Sequence, residues 1–274
     1  YENPLTGPMS MQTGYTPVFS THVNKSELCA TCHTLFTPYF DSQNQQAGYF
    51  PEQTPYLEWK NSIYRLSGVE CQTCHMPKIE EGIDISTTPP WHQELRSPFW
   101  RHDFAGGNVY MGTMLKTYAT ELGLTSGTTE LDSTIKKSKA MLQQKTVALN
   151  LASRQQNDTV YTEVTLTNLT GHKLPTGIPF RRMWIHFWAE KENGDIVFES
   201  GKWDEHGEII GIDSIYEPHH DIITNQNQVQ IYEPVLKNTE NELTYTLLRA
   251  AGFFKDNRLP PIGFKSSHVS YDSI

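Results

Sequence analysis

Apolar and polar positions divide this chain of 274 residues into stretches of different rhythm. From Thr129 to about Lys145, Leu131, Ile135, Ser138 and Leu142 recur at helical spacing with Lys136, Lys137 and Lys139 between them, which predicts an amphipathic helix. The period then drops to two. Val147, Leu149 and Leu151 alternate with polar residues, and Val160, Thr162, Val164 and Leu166 do so again, so strands are expected. A strand over Met183 to Lys191, a hairpin turn at Glu192-Asn193-Gly194-Asp195, a strand over Ile196 to Ser200 and another over Leu243 to Leu247 continue the pattern. Short strands punctuated by turns suggest an immunoglobulin-like β-sandwich.

Residues 1 to about 110 read differently, being rich in Pro, Gly, Tyr and Trp, with short helical pieces and much loop. One helix is predicted to start with Thr54 as N-cap and Pro55 at the first position, running through Tyr56, Leu57, Trp59 and Ile63 towards Cys71. Irregular chain without long apolar periodicity buries too little surface to fold alone. The expected fold class is therefore α+β. An irregular, mainly helical domain over residues 1–145 precedes an all-β immunoglobulin-like sandwich over residues 146–274.

Charge and composition narrow the function. At 37% hydrophobic and 19% charged residues the chain is globular in character. Its 22 basic against 31 acidic residues give a net charge of −9 with no basic block, which argues against a nucleic-acid partner. No run approaches the ~18 consecutive apolar residues of a bilayer-spanning helix, so no membrane span is expected. Tyr1 to Pro4 carry neither a basic start nor an apolar stretch, and the sequence is read as having lost its leader.

All four cysteines fall into two copies of one pattern, Cys29-Ala-Thr-Cys32-His33 and Cys71-Gln-Thr-Cys74-His75. C-x-x-C-H is the haem c attachment pattern: two thiols one helical turn apart form thioethers to two vinyl groups, and the adjacent imidazole ligates the iron. A zinc ribbon spaces its C-x-x-C knuckles by about 15–20 residues, whereas 38 residues separate Cys32 from Cys71 here. A four-Cys iron–sulfur cluster explains the cysteines but neither histidine, and a thioredoxin-like pair needs a βαβ setting that is absent. A disulfide framework needs a smaller, Cys-denser chain. Two covalently attached haem c groups are the reading. Since haem c is attached outside the cytoplasm, a periplasmic or extracellular location follows.

The sixth ligand of each iron separates an electron carrier from an enzyme, because a carrier fills both axial positions and an enzyme leaves one open. With His33 and His75 as proximal ligands, three histidines compete for the two distal positions. His22 lies just before the first motif, in chain expected to run against the haem. His102, in Pro98-Phe-Trp-Arg-His102-Asp-Phe-Ala-Gly-Gly107, is flanked by aromatic side chains that can stack on a porphyrin and by glycines that permit close approach. His172 sits in Gly171-His172-Lys-Leu-Pro175-Thr-Gly177, a turn-rich loop stiffened by Gly and Pro. Met76 adjoins His75 and would face the wrong side of its haem, and Met111 and Met114 read as core packing. His219 and His220 form a polar cluster that binds a metal or is a solvated loop. His92, His186, His206 and His268 are read as structural. Bis-histidine ligation implies low, negative midpoint potentials.

The two C-x-x-C-H motifs, Phe50-Pro-Glu-Gln-Thr-Pro-Tyr-Leu-Glu-Trp59, Cys74-His-Met-Pro77 and Phe99-Trp-Arg-His-Asp-Phe104 resemble multihaem c-type cytochromes. Gly171-His-Lys-Leu-Pro-Thr-Gly177 and Val229-Gln-Ile-Tyr232 resemble the β-domain that follows the haem domain in some of them. The resemblance covers most of the chain, implies that His172 is a haem ligand, and suggests that the chain is a fragment or processed domain of a longer cytochrome.

The expected function is electron transfer through two haems, tethered by Cys29, Cys32, Cys71 and Cys74. Trp59, Trp100 and Phe104 would pack on the porphyrins, and Arg101 or Lys173 would pair with propionates. Expected partners are redox proteins or other haem domains. One alternative is a multihaem oxidoreductase acting on a small nitrogen or sulfur oxyanion at an open iron near His102-Asp103 or His219-His220-Asp221. Another is a subunit of an extracellular cytochrome polymer.

Overall fold

A computed structural model describes residues 20–84, 95, 97–125, 127–212, 215–271 and 274. His92 lies outside them. The described residues form six α-helices: α1 (Ser26–Ala30), α2 (Pro55–Lys60), α3 (Ile63–Leu66), α4 (Cys71–His75), α5 (Val109–Thr117) and α6 (Thr128–Lys145). Twelve strands run from β1 (Leu35–Phe40) and β2 (Gln46–Gln53) through β3 (Lys78–Ile79), β4 (Phe99–Trp100), β5 (Val147–Gln156) and β6 (Thr159–Asn168). The rest are β7 (Met183–Trp184), β8 (Phe187–Glu190), β9 (Ile196–Ser200), β10 (Ile231–Tyr232), β11 (Pro234–Lys237) and β12 (Gly252–Asp256). They pair antiparallel, two by two, into six small sheets, so the protein mixes helices with separate short sheets.

The chain packs as two compact units, Tyr1–Thr31 with Tyr64–Thr170, and Cys32–Ile63 with Gly171–Ile274. In the first, α6 covers the stretch that the helical periodicity predicts. A Cβ on Gly112 of α5 would lie 2.9 Å from Ile135 of α6, so glycine is what permits the close approach of these helices. The ten-residue strands β5 and β6 pair without a slip from Val147↔Asn168 to Gln156↔Thr159. Asn157, at φ 53°, turns the chain between them, as the left-handed region of a tight hairpin requires. Among the described residues of this unit Ala105 is the one buried apolar side chain; the others buried are Ser26, Gln72, Ser138, Thr146 and Asn168. Burial this polar draws little stabilisation from the hydrophobic effect.

The second unit has apolar cores of its own. Phe50 of β2, Leu236 of β11 and Ala250 pack together with Tyr39, Leu247 and Phe253 around them. Ile209, Val229 and Ile231 form another cluster against Trp184 and Ile212.

Three predicted elements differ in detail. The helix expected from Thr54 towards Cys71 stops at Lys60, because Asn61 spends its side chain on the Lys265 backbone, donating to its carbonyl at 2.9 Å and accepting from its N–H at 3.0 Å. Ser62 likewise donates to the Trp59 carbonyl at 2.7 Å, and such local bonds compete with helical ones. The strand expected over Met183 to Lys191 breaks into β7 and β8, which pair with different partners, where the Ile185 N–H turns to the Gln230 carbonyl at 3.0 Å. Leu243 to Leu247 makes only a single bridge, to Lys237, before a 3-10 turn at Leu247–Arg249. There Arg249 donates to the carbonyls of Phe40 and Asp41. The turn at Glu192 to Asp195 forms as expected, with Gly194 at φ 88°.

Candidate haem-attachment site

The second motif is itself a helix. One turn of α4 puts Cys71 and Cys74 on the same face, with His75 immediately after. The His75 Nδ1 lies 2.6 Å from the Ala105 carbonyl. A carbonyl only accepts, so Nδ1 carries the proton and the lone pair sits on Nε2. That is the tautomer in which an imidazole ligates iron, with a backbone carbonyl fixing the ring from behind.

Cys29 of the first motif lies in α1, and Cys32 and His33 follow where the chain leaves the first unit between Thr31 and Cys32. Buried Ser26 joins α1 to α4. Its N–H and O–H both donate to Glu70 Oε2, at 2.9 and 2.7 Å, and its Oγ accepts the Cys71 N–H at 3.0 Å. Lys25 pairs with the other Glu70 oxygen at 3.0 Å. Gln72 Nε2 donates to the carbonyls of Val23 and Lys25 at 3.0 and 2.9 Å. Burial would raise the Glu70 pKa, but these bonds from Ser26 and Lys25 hold it below the ordinary carboxylate value.

This brace brings the thiol of Cys29 within hydrogen-bonding reach of Cys71. Burial, with the neighbouring Cys29 and Glu70 adding to it, pushes the Cys71 thiol up to about 11 against the lowering influence of the Ser26 hydroxyl beside it. Burial raises Cys74 too, against the charge of Lys145. Both thiols are neutral at physiological pH, and none of the four cysteines is in a disulfide.

The candidate distal ligands differ in how they are held. His22 opens an exposed 3-10 turn, with Ser20 Oγ 2.6 Å from its Nδ1. His102 is exposed in the loop after β4, its ring 5.9 Å from that of Phe104. Asp103 pins this loop to α6 through Lys137 at 2.5 Å, and the same loop supplies the carbonyl behind His75. His172 is half-buried, and its Nδ1 lies 3.0 Å from the Lys173 carbonyl, which selects the same tautomer as in His75. The first unit thus holds Cys29, Cys71, Cys74, His75, His22 and His102, and the second holds Cys32, His33 and His172.

Several neighbours have other work. Lys173 is buried and bonds Asp256 at 2.8 Å, so its ammonium is committed to a carboxylate rather than to a propionate. Trp59 is buried, stacked on Tyr56 at 5.7 Å. Trp100 lies in β4 opposite Lys78, and Phe104 is exposed at φ 45°. His220 bonds Glu217 at 2.9 Å, while His219 Nδ1 accepts from Gln230 and Asn257 at 2.7 and 3.0 Å. His186 bonds Glu199 at 3.0 Å. Among the described residues no three His, Cys, Asp or Glu side chains converge as a metal cage. One imidazole beside each thiol pair suits an iron that arrives in its own four-nitrogen macrocycle, so the donor set fits haem.

Sequence reasoning passes over Ser26, Glu70, Gln72, Ala105 and Glu58. For Glu58 a signal exists: a carboxylate between Leu57 and Trp59 on a short helix is a charge placed where burial is expected.

No helix among the described residues is long and apolar enough to cross a membrane. No protein-family model matches the chain, and no curated protein matches it. Among solved structures, the crystal structure of a penta-heme cytochrome c552 from Thermochromatium tepidum aligns with a TM-score of 0.48 at 18% identity. The alignment covers 88% of this chain and 42% of that one, so the chain spans less than half of its length.

Proposed function

We propose that this protein transfers electrons through two covalently attached c-type haems. The observation that carries the reading is the second motif, where Cys71 and Cys74 share a helical face and the Ala105 carbonyl commits the His75 ring to the iron-binding tautomer. The first motif repeats the same residues. Cys29 and Cys32 tether one haem and Cys71 and Cys74 the other; His33 and His75 are the proximal ligands, and two of His22, His102 and His172 the distal ones.

Bound haem supplies a one-electron iron couple. The chain supplies fixed geometry. The Ala105 carbonyl holds His75, and the Ser26, Glu70 and Gln72 bonds tie the two motif helices together. In this reading the haem-bearing residues 1–145 precede an immunoglobulin-like β-module over 146–274. The protein works in the periplasm or outside the cell, beside redox partners or further haem domains.

The test is mass spectrometry of the denatured protein together with low-temperature electron paramagnetic resonance of the oxidised holoprotein. Two haem masses and two low-spin bis-imidazole signals are expected. Cys71→Ser with Cys74→Ser removes one of them. Unmodified thiols overturn the reading, and a high-spin haem that binds nitrite or cyanide replaces the carrier by an oxidoreductase.

A further inference from the structure

The second unit buries a carboxylate that the haem reading leaves without a task. Glu58, on α2, is 0% exposed. Its Oε2 accepts the backbone N–H of Lys173 at 2.9 Å and the hydroxyl of Thr176 at 2.7 Å. Both donors belong to the loop 171–177, and Lys173 directly follows His172. The other oxygen takes Arg258 Nη1 at 3.2 Å, and Arg258 in turn holds Asp256, which also binds the Lys173 ammonium at 2.8 Å. Burying a charge costs several kcal/mol unless it is paired and hydrogen-bonded. Here both Glu58 oxygens are occupied, two of the three bonds by the one loop that carries a candidate iron ligand.

The loop has little freedom left around this grip. Leu174 exchanges both backbone hydrogen bonds with Leu259 at 2.9 Å, and Arg181 donates to the Thr176 carbonyl at 3.0 Å. The His172 ring is turned by its bond to the Lys173 carbonyl. Lys173 therefore meets Glu58 through its backbone N–H and the imidazole through its carbonyl. The Tyr56 N–H of the same short helix donates to the His33 carbonyl at 3.3 Å, so α2 ties a proximal histidine and His172 to one frame.

We propose that Glu58 is a positioning residue that sets His172 as a distal haem ligand, by gripping the loop at Lys173 and Thr176. The proposal rests on the haem reading above. Metal ligands are commonly oriented by such outer partners, whose loss weakens ligation about 10–100-fold.

The test uses the holoprotein, with haem count by mass, spin state by electron paramagnetic resonance, and the rate of cyanide binding. His172→Ala turns one low-spin haem high-spin. Glu58→Gln, whose one carbonyl oxygen cannot serve both Arg258 and the loop donors and whose NH2 meets Lys173 N–H and Thr176 when the oxygen stays on Arg258, loosens the same haem: partial high-spin signal, cyanide binding faster by at least about tenfold, and recovery of the low-spin signal with added imidazole. Thr176→Val removes one grip and keeps every charge paired, and gives a smaller change of the same kind even where Glu58→Gln does not fold. Imidazole rescue separates a displaced ligand from general unfolding. Two unchanged low-spin haems in both Glu58→Gln and Thr176→Val, or in His172→Ala, overturn the proposal while the haem reading stands. Wild-type protein with unmodified thiols overturns both.

Discussion

Replacing Arg258 by Met tests whether the buried charges of the second unit stabilise it. Arg258 and Lys173 face Glu58 and Asp256, two cations against two carboxylates, with side chains 7% and 9% exposed against 0% and 15%. Arg258 donates through Nε and Nη2 to Asp256, each at 2.8 Å, and through Nη1 to Glu58 at 3.2 Å. Arg258→Met leaves two carboxylates with one ammonium, and it reaches only Asp256. Breaking a buried pair from one side costs about 3–5 kcal/mol. At roughly 2–4 °C per kcal/mol for a chain of this order, the unfolding midpoint falls by about 6–20 °C. The assay is thermal unfolding by circular dichroism at neutral pH, with Lys116→Ala as reference. Lys116 pairs with Asp132 at 2.6 Å but is 41% exposed, and exposed pairs contribute about 0–1 kcal/mol. Adding Glu58→Met to Arg258→Met does not restore wild-type stability, because it strips the Lys173 N–H of its acceptor, at about 1–3 kcal/mol. An Arg258→Met cost below about 1 kcal/mol, or one equal to that of Lys116→Ala, refutes this account.

Two further outcomes follow from the same geometry. Burial would raise the Asp256 pKa, but hydrogen bonds and charge from Arg258 and Lys173 hold it well below the usual carboxylate range. Its contribution is therefore complete above the unfolded value of about 4 and is lost as pH falls below it; acid titration of wild type shows this loss, and Asp256→Asn flattens it. Ser26→Ala strands the Cys71 N–H and leaves Glu70 Oε2 with the backbone N–H of residue 26 alone, costing about 1–3 kcal/mol in urea unfolding of the holoprotein, whereas Thr134→Ala, on an exposed face of α6, stays near wild type.

How much was legible depends on how far apart the partners lie. Thioether attachment needs its thiols one turn apart and its imidazole adjacent, so both motifs are contiguous and readable. The helix Thr128–Lys145 and the turn at Gly194 are local for the same reason, one set by periodicity and the other by a positive φ. Glu58 and Arg258 stand 200 positions apart, and nothing near either announces the other. The strand predicted through Ile185 is cut by a backbone bond to Gln230, a tertiary choice that overrides local propensity. The helix beyond Lys60 fails because Asn61 finds Lys265.

The brace around Ser26 also makes the first short helix depend on chain that is made later. The first attachment helix gets its polar partners from Glu70 and Gln72, more than forty positions downstream. A nascent chain that ends before Glu70 therefore lacks the groups that fix Ser26, Lys25 and Val23, and its first short helix has none of these partners to hold it.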